Sequence, residues 1–154
     1  MKMSPELQKA QENMQPGVIT SDGFLGDDHR PLIEMIQDDE EHMAHLGIDW
    51  DVAAAKLREL MDEGRKGLGE PVTVQNTWIV RTDEARGFLA SPFEDGIFRK
   101  VNAELELAPG GTSSGDKLLY TELSLHLMEK HHFLEGRGSS FRIEPSQLKK
   151  VLQM

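Results

Sequence analysis

Three of the chain's six histidines fall within HLMEKHHFLEGRGSSFRIEP, residues 126–145, ahead of a turn rich in Gly, Ser and Arg. An imidazole can ligate a metal, move a proton near neutral pH, or sit in a core with its nitrogens satisfied. Helical geometry bears on the choice. At about 100° per residue, His126 and His131 point roughly 140° apart around a helix axis. A two-histidine metal pair on one helix wants a spacing of three or four residues; His131 lies five after His126 and His132 lies six. The pattern is not HExxH, and no metal is expected on this helix. His131 falls beside Leu127 and Leu134, which reads as a core histidine bonded to a backbone carbonyl. The sharper alternative is a base or ligand contact at the pocket end of the helix. His126 falls on the side of Glu122, Glu129 and Lys130, as a surface residue paired with one of the glutamates.

QDDEEHMAHLG, residues 37–47, holds a second cluster. His42 and His45 are three apart, Asp38 precedes His42 by four, and Glu41 precedes His45 by four. Two imidazoles and a carboxylate with one open position match a catalytic zinc set. The plainer reading is a solvated helical face whose ion pairs contribute about 0.3–0.5 kcal/mol each. Asp39 is less ordinary, because it falls on the apolar stripe between Leu32 and Leu46. A carboxylate there needs a partner, a raised pKa or a cavity. An arginine from the sheet or the last loop would serve. A helix bent to turn Asp39 outward is the alternative.

GRGSSFR, residues 136–142, is the strongest candidate for ligand contact. Glycine lets backbone N–H groups approach closely. Ser139 and Ser140 add hydroxyls beside Gly138, and Arg137 and Arg142 add charge, a set suited to a small phosphate or carboxylate. It lacks the phosphate-loop spacing and precedes no long helix. The competing reading is a helix C-cap turning into a short strand, Phe141–Ile143. TSDGFLGDDHRP, residues 20–31, also carries spare chemistry. Ser21, Asp22, Asp27, Asp28 and His29 could hold a cation or a triad, although Asp and Ser also dominate turns. Calcium-loop spacing and GxSxG are both absent.

The elements that would position these residues follow from periodicity. Asp28 is a plausible N-cap with Pro31 in the first turn, for a helix running to Gly47. Asp49 caps a second helix, whose stripe is Trp50, Ala53, Ala54, Leu57, Met61 and Leu68. VTVQNTWIVR reads as one or two strands turning near Gln75–Asn76. RKVNAELEL alternates, with Val101, Ala103, Leu105 and Leu107 on one side. APGGTSSGD is a loop and DKLLY a returning strand. A helix spans Thr121 to about Phe133, and Pro145 opens a final one. The order predicts an α+β domain over residues 17–154, with two N-terminal helices and a C-terminal helix packed on one face of a small antiparallel sheet. Residues 1–16 read as a flexible arm, loose or weakly helical, ending at Pro16–Gly17.

The bulk numbers bound the function. A chain of 154 residues with 38% hydrophobic and 29% charged residues has the balance of a globular domain. No apolar run approaches the ~18–20 residues of a membrane span, and the polar N-terminus does not read as a secretory signal. With no cysteine, disulfides and thiolate sites are excluded, in keeping with a cytoplasmic location. A net charge of −10 disfavours nucleic acid and anionic membranes and favours a basic protein partner, with a homo-oligomer as the other partner considered.

GVITSDGFLGDDHRPL together with LSLHLMEKHHFLEGRGSSFRIEP resembles a family of small uncharacterised bacterial cytosolic proteins. The likeness runs from about Gly17 to the C-terminus. It implies a bacterial, single-domain protein and carries no activity, cofactor or site. The residues themselves favour a non-catalytic domain that binds a small anion or a protein, with no cofactor. The alternatives are a small hydrolase or lyase using His131 or His29 with Asp22 or Asp39, and a metal protein using His42, His45 and Asp38.

Overall fold

A computed structural model describes residues 3–108 and 116–154. The expected loop APGGTSSGD lies, apart from its two ends, outside them. The chain forms α1 (Pro5–Asn13), α2 (Leu32–Leu46), α3 (Trp50–Arg65), β1 (Val72–Val74), β2 (Trp78–Ala90), β3 (Ile97–Leu107), β4 (Lys117–Thr121), α4 (Glu122–His131) and α5 (Pro145–Leu152). The strands make one antiparallel sheet in the order β1-β2-β3-β4. The fold is α+β, as the sequence predicts.

Local chemistry accounts for most element ends. Gly47 ends α2 in the left-handed region at φ 73°, and the Asp49 carboxylate caps α3 by accepting the Val52 N–H. Gln75 and Asn76 both take positive φ, which gives β1 and β2 the mirror-image turn that suits twisted strands. In β3, Val101, Ala103, Leu105 and Leu107 are buried as the alternation requires.

Two apolar clusters result. In the larger, Leu57 and Leu60 of α3, Leu125 and Met128 of α4, and Leu148 and Val151 of α5 meet Val80, Val101 and Leu105 of the sheet. Two buried polar groups tie helices across it. Tyr120 donates its hydroxyl to the Leu57 carbonyl at 2.6 Å, and the Trp78 indole N–H donates to the Val151 carbonyl at 2.7 Å. The smaller cluster joins Met14, Phe24, Leu32, Met35, Leu123, Leu127 and Phe133. Leu89 and Phe98, a cross-strand pair of the β2–β3 hairpin, pack against it.

Four expectations need correction. The N-terminal arm is packed rather than loose: its weakly helical stretch is α1, and Ala10 and Met14 are buried. Asp28 does not cap α2. Pro31 stands at the N-cap and offers no side-chain cap, and Gln11 Oε1 of the neighbouring α1 accepts the Leu32 N–H at 2.9 Å. Phe141–Ile143 forms no strand. The second strand runs on to Ala90, past its expected end near Arg81, with a register shift between Ala85 and Phe88 that adds Arg86 and Gly87 as a bulge.

Gly64 marks the closest approach of α3 to the sheet. A Cβ there would stand 2.6 Å from Val80 Cγ1 and 3.1 Å from Thr82 Cγ2. Val80 is buried and stiff at χ1, so it cannot swing away. Gly64→Ala gains about 1 kcal/mol of helix propensity but overpacks the core, which costs about 1–3 kcal/mol. Urea unfolding should show a net loss of stability.

Candidate functional site

The turn after α4 and the loop before α2 are built against each other. Gly136 donates its N–H to the Phe24 carbonyl at 2.9 Å, and Asp27 donates to the Arg137 carbonyl at 2.8 Å. The contact is so close that a Cβ on Gly136 would collide with the Leu25 carbonyl, and one on Gly26 with the Gly138–Ser139 backbone. Asp28 completes the seam. Its carboxylate takes the Arg137 N–H at 3.1 Å and pairs with Arg30 at 2.6 Å. The hydrogen bonds from Arg30 hold it well below the usual carboxylate range despite its burial.

A cleft of about 690 Å³ opens where these loops meet β2 and β3. Ser21, Asp22 and Gly23 line it from one loop, and Glu135, Gly138, Ser139, Ser140 and Phe141 from the other. The sheet contributes Asp83, Glu84, Lys100 and Asn102, with Leu89 and Leu123 as apolar wall. The two loops that the sequence marks as chemically equipped therefore share one cleft.

Glu135 is its most perturbed group. It is 5% exposed, lies in the left-handed region at φ 71°, and accepts the Ser139 hydroxyl hydrogen bond on Oε1 at 2.6 Å. Burial pushes its carboxyl up to about 7; the Ser139 hydrogen bond and the charge of Arg142 oppose that only in part. A carboxyl that titrates near neutrality at a cleft wall can donate or accept a hydrogen bond, or carry a proton.

Arg142 holds this turn in place. It forks onto Asp39, with Nη1–Oδ2 and Nη2–Oδ1 both at 2.9 Å. It also donates Nη1–H to the Glu135 carbonyl at 2.7 Å and Nε–H to Glu144 at 2.6 Å. Burial alone would lower the Arg142 pKa, but Asp39 and Glu144 hold it above its ordinary value. The off-pattern carboxylate on the α2 stripe thus meets the loop arginine that its position calls for. Asp39 is taken up by this pair and is not among the residues that line the cleft. Neither Arg142 nor the exposed Arg137 is among the cleft's lining residues, so the two cations expected to bind an anion are absent from its wall.

The histidines are placed differently from expectation. His126 and His131 both direct Nε2 at one oxygen, Asp95 Oδ2, at 2.9 and 2.7 Å. His131 is not enclosed by leucines; it is half-buried and stacks on Phe93 at 3.7 Å between ring centroids. His126 pairs with neither neighbouring glutamate, since Glu122 binds Arg99 and Glu129 binds Arg58. Burial would raise the Asp95 pKa, but hydrogen bonds from Ser91, His131 and His126 hold it well below the usual range. Among the described residues, these three are the group whose ligand atoms converge, all within 4.8 Å of one another. Asp38, His42 and His45 do not converge, and Asp38 pairs with Arg30 instead. His29 is exposed outside the cleft. Neither His29 nor His131 meets Asp22 or Asp39 as an acid–base pair.

Sequence reasoning passed over Asp95, Glu135 and Lys100. The tight sequence Pro-Phe-Glu-Asp-Gly was a usable turn signal for Asp95. Glu135 had none, because the turn that carries it packs on a loop far earlier in the chain, with the neighbouring Gly136 backbone against Leu25. No family model, curated protein or solved structure matches the chain.

Two variants test the wall. Arg142→Met strands Asp39 as a buried unpaired charge and should cost about 3–5 kcal/mol, part of which Asp39→Leu added to it should restore. Glu135→Gln tests the buried proton. Between the ordinary 4.5 and about 7 the folded protein keeps a proton that the unfolded chain has released, so stability falls as pH rises through that window. Urea unfolding should find Glu135→Gln more stable than the parent by up to roughly 3 kcal/mol at pH 8, and the two nearly equal at pH 4.

Proposed function

We propose that the protein is a small-molecule-binding domain whose ligand occupies the cleft between the 20–26 loop, the 135–141 turn and the β2–β3 hairpin. The carrying observation is that these two loops, with their hydroxyls and glycines, border one cleft around the buried carboxyl of Glu135. The ligand is polar and neutral or cationic, such as a polyol or an amine. Of the four carboxyl groups in the lining, Glu84 is paired with Arg65 at 2.7 Å and Glu135 keeps its proton up to neutrality, which leaves Asp22 and Asp83 facing the single ammonium of Lys100. Each ionised carboxylate near an anion costs about 1–4 kcal/mol at 4 Å, depending on exposure. That replaces the anionic ligand expected from Arg137 and Arg142. A bacterial cytoplasmic setting, supported by the absence of cysteine and the family resemblance, belongs to the same proposal.

A second reading is favoured by the Glu135 carboxyl near pH 7, where a general acid or base works best. In a hydrolase or lyase, Glu135 takes the role first given to the histidines and Asp22. Turnover of the bound compound, lost in Glu135→Gln while binding persists, would single out this reading.

The cleft is tested by thermal shift against polyols, sugars, amines, amino acids and inorganic phosphate. A true ligand at 100 times its Kd adds about 2.7 kcal/mol of stability. Ser140→Trp fills the cleft from an exposed position and should abolish that shift. An equal shift in Ser140→Trp, or a response to phosphate alone, would remove the proposal.

A further inference from the structure

The geometry points to a second site: Asp95, His126 and His131 bind one divalent transition ion of the zinc class. Its ligands come from two elements. The last turns of α4 supply both imidazoles, and the 91–96 turn between β2 and β3 supplies the carboxylate. Each is held before any ion arrives. Phe93 lies flat against His131 with 4° between the rings, and Phe98 leans on His126 at 4.5 Å. The turn is closed by the Ser91 N–H to the Gly96 carbonyl and the Glu94 N–H to the Ser91 carbonyl, both 2.9 Å. Asn13 of α1 clamps it from outside, donating to the Pro92 carbonyl at 2.9 Å. Such support around the ligands is what fixes ring orientation in metal sites.

Distances and chemistry agree. Ligands of a tetrahedral zinc at about 2.0–2.1 Å stand roughly 3.3 Å apart. Both Nε2 atoms lie 2.7–2.9 Å from Asp95 Oδ2, and the three ligand atoms all lie within 4.8 Å of one another, so small movements of the carboxylate and the two rings admit the ion. Two neutral imidazoles and one carboxylate suit zinc-like ions, whereas calcium and magnesium prefer all-oxygen sets. The side chains keep 36%, 15% and 24% exposure for Asp95, His126 and His131, which leaves a coordination position for water. The acidic chain as a whole attracts cations.

The test is calorimetric titration of the full chain with Zn2+, with Co2+ absorption as the report on geometry. One ion per chain, visible Co2+ bands of low-symmetry coordination, and no displacement by excess Mg2+ are expected. Losing an outer-shell partner alone costs about 10–100-fold in affinity, so His126→Gln, His131→Gln and Asp95→Asn should each cost at least about a hundredfold. Asp95→Asn alters only an exposed turn, and circular dichroism and thermal melting should show it folded. The double variant His42→Gln/His45→Gln should bind as the parent does. Absence of stoichiometric Zn2+ binding would overturn the site. So would binding that survives in both His126→Gln and His131→Gln, or that disappears with His42 and His45.

Discussion

The fork of Arg142 onto Asp39 is the contact on which the cleft depends. Between His132 and Glu144 the chain has neither helix nor strand, so no ladder of backbone hydrogen bonds dictates its path. Arg142 supplies that path from the side, binding α2 through Asp39, the turn through the Glu135 carbonyl, and the start of α5 through Glu144. The pair is almost fully enclosed, at 7% and 6% side-chain exposure. Removing two such charges from water costs several kcal/mol each, and only matched, two-pronged hydrogen bonding offsets it. A lysine could not bind α2 and the turn in the same way, because it lacks a rigid planar fork. The arrangement therefore stabilises one particular path of the turn rather than the fold in general.

The path so fixed explains the cleft's chemistry. Holding the Glu135 carbonyl against Arg142 keeps that residue in the left-handed region and its carboxyl under cover. The seam from Phe24 to Asp28 then closes over Gly136 and Gly138, where a side chain would not fit. A buried carboxyl without a nearby cation of its own resists ionisation, and here the guanidinium is occupied by Asp39 and Glu144. The same ion pairs that take Arg142 away from ligand binding thus leave Glu135 protonated up to neutrality. An acidic, hydroxyl-lined cleft is the consequence of where the positive charge was used.

Much of this was legible where physics acts locally. The periods of α2, α3 and β3, the Gln75–Asn76 turn and the Gly47 stop all follow from neighbours in sequence. Asp39 was legible for a related reason, since a carboxylate on an apolar stripe demands a partner somewhere. The packing of the N-terminal helix was missed because Pro5–Asn13 is polar almost throughout. Its burial comes from the smaller cluster and from Gln11 capping another helix, neither of which leaves a periodic trace. The histidine pair misled through an incomplete rule. Directions of Cα positions around a helix are 140° apart at this spacing, yet an imidazole nitrogen stands well out from its backbone. A terminal residue also leans back along the axis toward the turn before it. What closes the gap is Asp95, which approaches from the hairpin and which no helical wheel includes.

The hairpin also means that the two sites are not independent in construction. Leu89 and Phe98 face each other across β2 and β3 beyond the Ala85–Phe88 bulge. Leu89 is part of the cleft wall, and Phe98 rests on His126. Both pack on the cluster of Leu123, Leu127 and Phe133, and Leu123 itself reaches the cleft. Packed apolar residues transmit displacement because the interior has no spare volume to absorb it. Fixing the two imidazoles to one carboxylate fixes the hairpin tip and the end of α4 together, and with them one wall of the cleft. The bulge has a physical role in this: the extra Arg86 and Gly87 bend the strand, and the pair beyond them packs on the smaller cluster.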